Sequence, residues 1–280
     1  MKAGPGILTA AALVLAPAQL AAREANLLGS AYSYSDIADL SLAAPIVAHV
    51  IVTDAILLRG ADAAGVTPGH ARLYVRATIT ALLKGAEGMP PDVSFLADLP
   101  LDSANHVPKL KKADVLLFAS APADQPAGTL RLVAPDAALA WTPELEARAK
   151  AILVAAATPD APPRITGVAS AFHVPGTLPG ESETQIFLTT ANGHPVSLAV
   201  LRRPQEQPRW AVALAEMVDE AAAPPQPQTL LWYRLACELP RQLPDASLAN
   251  LEPADAAAAR DDYQVVLAGL GECGRTRTQN

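Results

Sequence analysis

The chain has 280 residues (29.0 kDa), of which 51% are hydrophobic but only 4% aromatic. That excludes a wholly disordered polypeptide and leaves a core built from Ala, Val, Leu and Ile. A formal net charge of -7 with scattered basic residues argues against nucleic-acid binding, which needs a clustered basic surface.

Met1-Lys2 precedes a short apolar run, Ile7 to Leu15, and then Ala16-Pro-Ala18. A basic start, an apolar centre and a small-x-small site spell a secretory signal peptide over residues 1–22, cleaved after Ala18 or Ala22. A buried N-terminal helix is the alternative. The run is too short to span a bilayer, no Cys follows it to carry a lipid, and no later stretch reads as a membrane span. Export predicts a periplasmic or secreted protein. Cys237 and Cys273, the only two cysteines, agree with this: an oxidising compartment favours their union in a disulfide. Two free thiols are the alternative. Zinc is disfavoured, because neither Cys has a close Cys or His partner.

Residues 23–34 read as a lead-in. Ser33-Tyr-Ser-Asp36 has capping-box form and predicts a helix to about Ala43, stopped by Pro45. Ile46 to Val52 is a β-branched apolar run, a strand buried on both faces that continues towards Leu58. Gly60 to Gly69 is a loop. From Ala71 to Leu83 apolar residues occupy the odd positions and polar or amphipathic ones the even, a half-buried strand. Val93 to Leu99, Asp114 to Ser120 and Thr129 to Ala134 supply three more strands. Thr142-Pro143-Glu144 opens a helix with a cap, a first-turn proline and an acid at the positive end. Leu145, Ala149, Ile152, Leu153 and Ala156 form its apolar stripe. Residues 35–157 are therefore expected to form a five-stranded OB-like barrel domain with a C-terminal helix.

Residues 158–164 read as a linker, and residues 165–274 as a small antiparallel β-meander packed with a disulfide-linked helix pair. Ile165 to His173 is its first strand. Thr184–Thr190 and Pro195–Leu201 form a hairpin about Asn192-Gly193. Arg209 to Val218 reads as strand at its start and helix at its Ala-rich end; strand is preferred. Thr229 caps a helix from Leu230 to Leu239, and Pro253 opens another whose stripe is Ala259, Tyr263, Val266, Leu267 and Leu270. A Cys237–Cys273 bridge would tie the end of the second helix to the first. The tail from Arg275 reads as frayed. The fold class is thus mainly β with peripheral helices.

The densest polar chemistry lies between Ala171 and Leu188. Gly180-Glu-Ser182-Glu-Thr184 falls one glycine short of a nucleophile elbow, and a strand rather than a helix follows it. Ser182 with His173 or His194 as base and Asp219 as orienting acid is the weak catalytic candidate. The bland reading is a turn joining two strands, with Glu181 and Glu183 in solvent. None of the five histidines pairs with another at metal-ligand spacing, so no metal and no cofactor is expected. His49 reads as a hydrogen-bonded core residue. Asp261 and Asp262 read as surface acids, Arg202-Arg203 as a solvated strand end, and Trp232 as core.

The mature chain resembles a group of exported bacterial proteins without assigned function, through Gly180-Glu-Ser-Glu-Thr-Gln-Ile-Phe-Leu188 and Thr229-Leu-Leu-Trp-Tyr-Arg-Leu-Ala-Cys237. Residues 46–134 are similar in pattern to the netrin/TIMP-like OB-fold, through the alternating strand ending in Leu83-Lys84-Gly85 and the short helix before it. Inhibitors of that family chelate a metalloproteinase zinc with an amino-terminal Cys. This chain has none in its first half, so that activity is not carried over. The expected function is a non-enzymatic binding or envelope-associated protein, whose partner is an unknown protein or small-molecule ligand of the cell envelope. An envelope hydrolase using Ser182 with His173 or His194 is the alternative; a protease inhibitor acting through the barrel loops is a further one.

Overall fold

A computed structural model describes residues 32–218 and 222–277. The expected signal peptide and Asp219 lie outside the described residues. The protein is mainly β. A nearly closed antiparallel barrel is followed by a four-stranded antiparallel sheet and C-terminal helices.

Helix α1 (Tyr34–Ala43) starts where the sequence says it should. The Ser33 hydroxyl accepts from the Asp36 amide at 3.1 Å, and the Asp36 carboxylate accepts from the Ser33 amide at 3.0 Å. β1 (Ile46–Leu57) then pairs on one side with β2 (His70–Lys84) and on the other with β4 (Asp114–Ser120). β2 pairs with β3 (Asp92–Pro100). Three register shifts in the β1–β2 ladder bend the strands as barrel closure requires. A parallel bridge closes most of the remaining gap: the Ser94 amide donates to Gly128 O at 2.9 Å, and Leu130 N donates to Ser94 O at 2.8 Å. Gly128 has φ of 87°, and a Cβ there would meet Asp92 O at 2.7 Å, so only glycine lets the chain pass this close.

The fifth strand is shorter than its sequence suggests. β5 is only Arg131–Leu132, and a further strand, β6 (Ala138–Ala140), shares β4 with it. β5 faces the end of β4 (Ala119, Ser120) and β6 its first half (Val115 to Leu117), so the chain bends between them. A three-residue run such as Ala-Leu-Ala has no measurable period, which is why β6 escapes a reading of the sequence.

The two faces of β1 and β4 serve two cores. Val50, Leu117, Leu73, Val75 and Phe95 fill the barrel. Val47, Leu116 and Phe118 point the other way and pack with Ile37, Ile152, Ile186, Leu198, Trp232 and Tyr263. This second core joins α1, helix α2 (Pro143–Ala157), the second sheet and the C-terminal helices. The periodless apolar run at Ile46 follows from burial on both sides.

β7 (Ile165–Pro175), β8 (Ser182–Thr190), β9 (Val196–Arg202) and β10 (Arg209–Ala213) form a simple meander. Thr229 caps α3 (Leu230–Glu238), and α4 (Pro253–Leu270) ends at Gly271. α4 lies so close on the sheet that a Cβ at Gly269 would fall 2.2 Å from Trp210 Nε1. The Trp232 indole donates to Leu270 O at 2.9 Å, and Cys237 is bonded to Cys273, which ties the two helices together.

The tail is docked through Arg277, a correction to the frayed end expected from Arg275. Arg275 grips Asp39 of α1 with two donors, at 2.7 and 2.9 Å. The Thr276 and Arg277 amides donate to the Asp36 carboxylate at 3.0 and 3.1 Å, and the Arg277 guanidinium pairs with Asp136. The acids that hold the tail are about 140 to 240 residues distant in sequence, so nothing local announces them.

Candidate functional site

The sequence concentrates its polar chemistry in the Ser182–His173 region. His173 on β7 sits opposite Thr184 on β8, and its Nδ1 lies 2.7 Å from the Thr184 hydroxyl. That hydroxyl in turn donates to Asp262 of α4, so it accepts from the imidazole Nδ1–H. Asp262 also accepts from Arg202 Nε of β9 at 2.5 Å. Asp262 is fully buried, which corrects its reading as a surface acid, and Arg202 is its ion-pair partner rather than a solvated strand end. Buried charges are held only when paired and hydrogen-bonded, as here. The relay pins α4 across the meander. His173 Nε2 makes no hydrogen bond to the described residues.

Ser182 opens β8 opposite Pro175 and Arg202. It shares a face with Thr184 but lies diagonally from His173, at the roughly 7–8 Å of such neighbours, and no hydrogen bond joins them. His194 sits in the turn at the other end of β8. Eight residues of strand, at about 3.3 Å each, separate it from Ser182 by roughly 26 Å. The structure therefore brings His173 near Ser182 and leaves His194 out of reach. Glu181 is half-buried and closes its own turn, its carbonyl accepting from Gly176 N at 2.7 Å.

His49 stacks on Trp141 with ring centroids 4.3 Å apart, and its Nε2 lies 2.8 Å from Asp114. Among the described residues no group of three or more His, Cys, Asp or Glu is placed to hold a metal ion.

The better-formed concavity is on the barrel wall. The wet face of β2 and β3 supplies Arg72, Tyr74, Leu96 and Asp98, and residues 122–135 fold over it. The open cleft has a volume of about 630 Å³. Leu96, Leu130, Leu132, Val133, Pro122 and Pro135 make its lining mostly apolar. Arg72 and Asp98 are cross-strand partners joined by two hydrogen bonds of 2.7 Å. The Arg72 hydrogen bonds hold the Asp98 carboxyl below the usual carboxylate range and push the guanidinium up. This wall is thus internally neutral. Arg131 lines the cleft, is exposed, and has no carboxylate partner among the described residues. Among the described residues no Ser, His or Cys lines the cleft. Sequence reasoning missed it, because its two sides are brought together only by closure of the barrel; Arg131, a charge within the apolar run Leu130 to Val133, is its visible signal.

No family model matches the chain, and no curated protein matches it.

Proposed function

We propose that this is an exported, non-enzymatic binding protein of the cell envelope that holds a small amphipathic anion in the barrel-wall cleft. The observation that carries the reading is a cleft of about 630 Å³, mostly apolar and with one guanidinium, Arg131, that has no carboxylate partner among the described residues. That volume is in the range of small-molecule sites, and a few placed polar groups on an apolar lining is their usual make-up. Among the described residues the lining holds no Ser, Cys or imidazole beside its Tyr74 and Thr129 hydroxyls, and its one carboxylate, Asp98, is tied to Arg72, which favours holding a ligand over transforming it. The signal-peptide pattern of residues 1–22 and the bonded Cys237–Cys273 pair support export. The similarity of residues 46–134 to OB-folds supports the placement, since those folds bind ligands on the second and third strands and the adjoining loops.

Calorimetric titration with dodecanoate and short N-acyl amino acids tests this. Saturable binding should weaken by about tenfold or more in Leu96→Asp, which sets a carboxylate in the apolar lining, and in Arg131→Glu. Equal affinity in both variants and the native protein would sink the reading.

One observation favours a second reading, the envelope hydrolase. His173 Nε2 makes no hydrogen bond to the described residues, while its Nδ1 is oriented, through Thr184, by a buried carboxylate. Ser182 is the nearest nucleophile candidate on that face. An esterase activity lost in Ser182→Ala with unchanged melting would favour it.

A further inference from the structure

A second cleft, of about 1160 Å³, opens where α1, the segment 133–136, the start of β7, α3 and the tail meet. Four guanidiniums line it (Arg164, Arg234, Arg275 and Arg277) against three carboxylates, Asp39, Asp136 and Glu238. An excess of positive charge is unexpected in a chain of net charge -7. Arg275 spends its donors on Asp39 and on Cys237 O. The other three do not. Arg277, whose side chain is only 10% exposed, uses Nε and Nη2 on Asp136 and leaves Nη1 without a hydrogen bond to the described residues. Arg234 gives Nη1 to Glu238 and leaves Nη2 without a hydrogen bond to the described residues; its Nε is buried and closed off from the cleft. Arg164 is exposed and makes no side-chain hydrogen bond or ion pair with the described residues.

We propose that this cleft binds a phosphate monoester. The spare donors belong to three different elements, and a tetrahedral dianion offers acceptors in several directions to guanidinium groups, which suit phosphate. The volume far exceeds a bare phosphate ion, so the ester's organic part occupies the rest. Because Arg277 belongs to the tail, the occupant also tightens the tail.

Glucose 1-phosphate is the probe, titrated calorimetrically at low ionic strength with amide exchange of Thr276 followed in parallel. One site per chain is expected, with slower Thr276 exchange on binding and weakening by added salt. Arg164→Ala should lower affinity about tenfold, the loss of one charge-assisted contact, without moving the melting temperature of the free protein. Arg164→Glu should abolish binding. The proposal is overturned if glucose 1-phosphate does not saturate, if Arg164→Ala binds it equally well, or if tricarballylate saturates the site while the phosphate ester does not.

Discussion

Replacing Asp262 tests how the helical layer is held on the meander. The carboxylate is fully buried and accepts from the Thr184 hydroxyl and from Arg202 Nε. Asp262→Ala leaves the Thr184 hydroxyl, itself fully buried, without its acceptor, at about 1–3 kcal/mol. The vacated volume adds roughly 1 kcal/mol. The Arg202 side chain is 36% exposed, so its guanidinium can turn to water and adds little. The sum is about 2–4 kcal/mol. Asp262→Asn keeps the shape and one acceptor and should cost roughly half as much. Arg202→Met is the harsher single change, about 3 kcal/mol or more, since it strands a buried carboxylate. Combined with Asp262→Asn it should cost clearly less than the two single changes added together. Urea unfolding followed by Trp fluorescence, with an unchanged slope, measures all four variants. A cost under about 0.5 kcal/mol for Asp262→Ala, the level of an ordinary surface change, would refute the reasoning, as would strict additivity of the pair.

Replacing both Cys237 and Cys273 with Ser opens a link across a sequence separation of 36 and should cost about 4 kcal/mol on the chain-entropy account, read as a lowered unfolding midpoint. The tail should release in acid. Burial pushes the Asp36 carboxyl up, but hydrogen bonds from Thr276, Arg277 and Ser33 together outweigh it and leave the pKa below the ordinary value. Arg277 depresses Asp136 likewise. Folded values below unfolded ones mean stabilisation that is complete above roughly pH 4 and lost as pH falls through the folded values. Protection of the Thr276 and Arg277 amides should follow that course once intrinsic exchange is corrected for; release already near roughly pH 6 would contradict it. Gly269→Ala gains helix propensity yet sets a methyl 2.2 Å from Trp210 Nε1, so it should cost about 1–3 kcal/mol and shift the Trp emission.

Local rules made much of the fold legible. The Ser33 capping box, the alternation along β2, the Asn192-Gly193 hairpin and the Thr229 cap each act within a few residues, and each appears where its chemistry says. What stayed hidden depends on distant partners. Asp262 stands three residues after Ala259 and four before Val266, on the buried stripe of α4. That position was readable; its partner Arg202, on another element, was not. Arg275 and Arg277 looked like a solvated end because Asp36, Asp39 and Asp136 reach them only after folding. Both clefts exist only where separate elements meet.

The central claim, a ligand cleft on the barrel wall, is tested most directly by amide chemical-shift mapping on the isotope-labelled protein titrated with dodecanoate. Saturable shifts confined to Tyr74, Leu96, Leu130, Arg131 and their neighbours are the expected result. Shifts centred on His173 and Ser182, or none at saturating ligand, would contradict it.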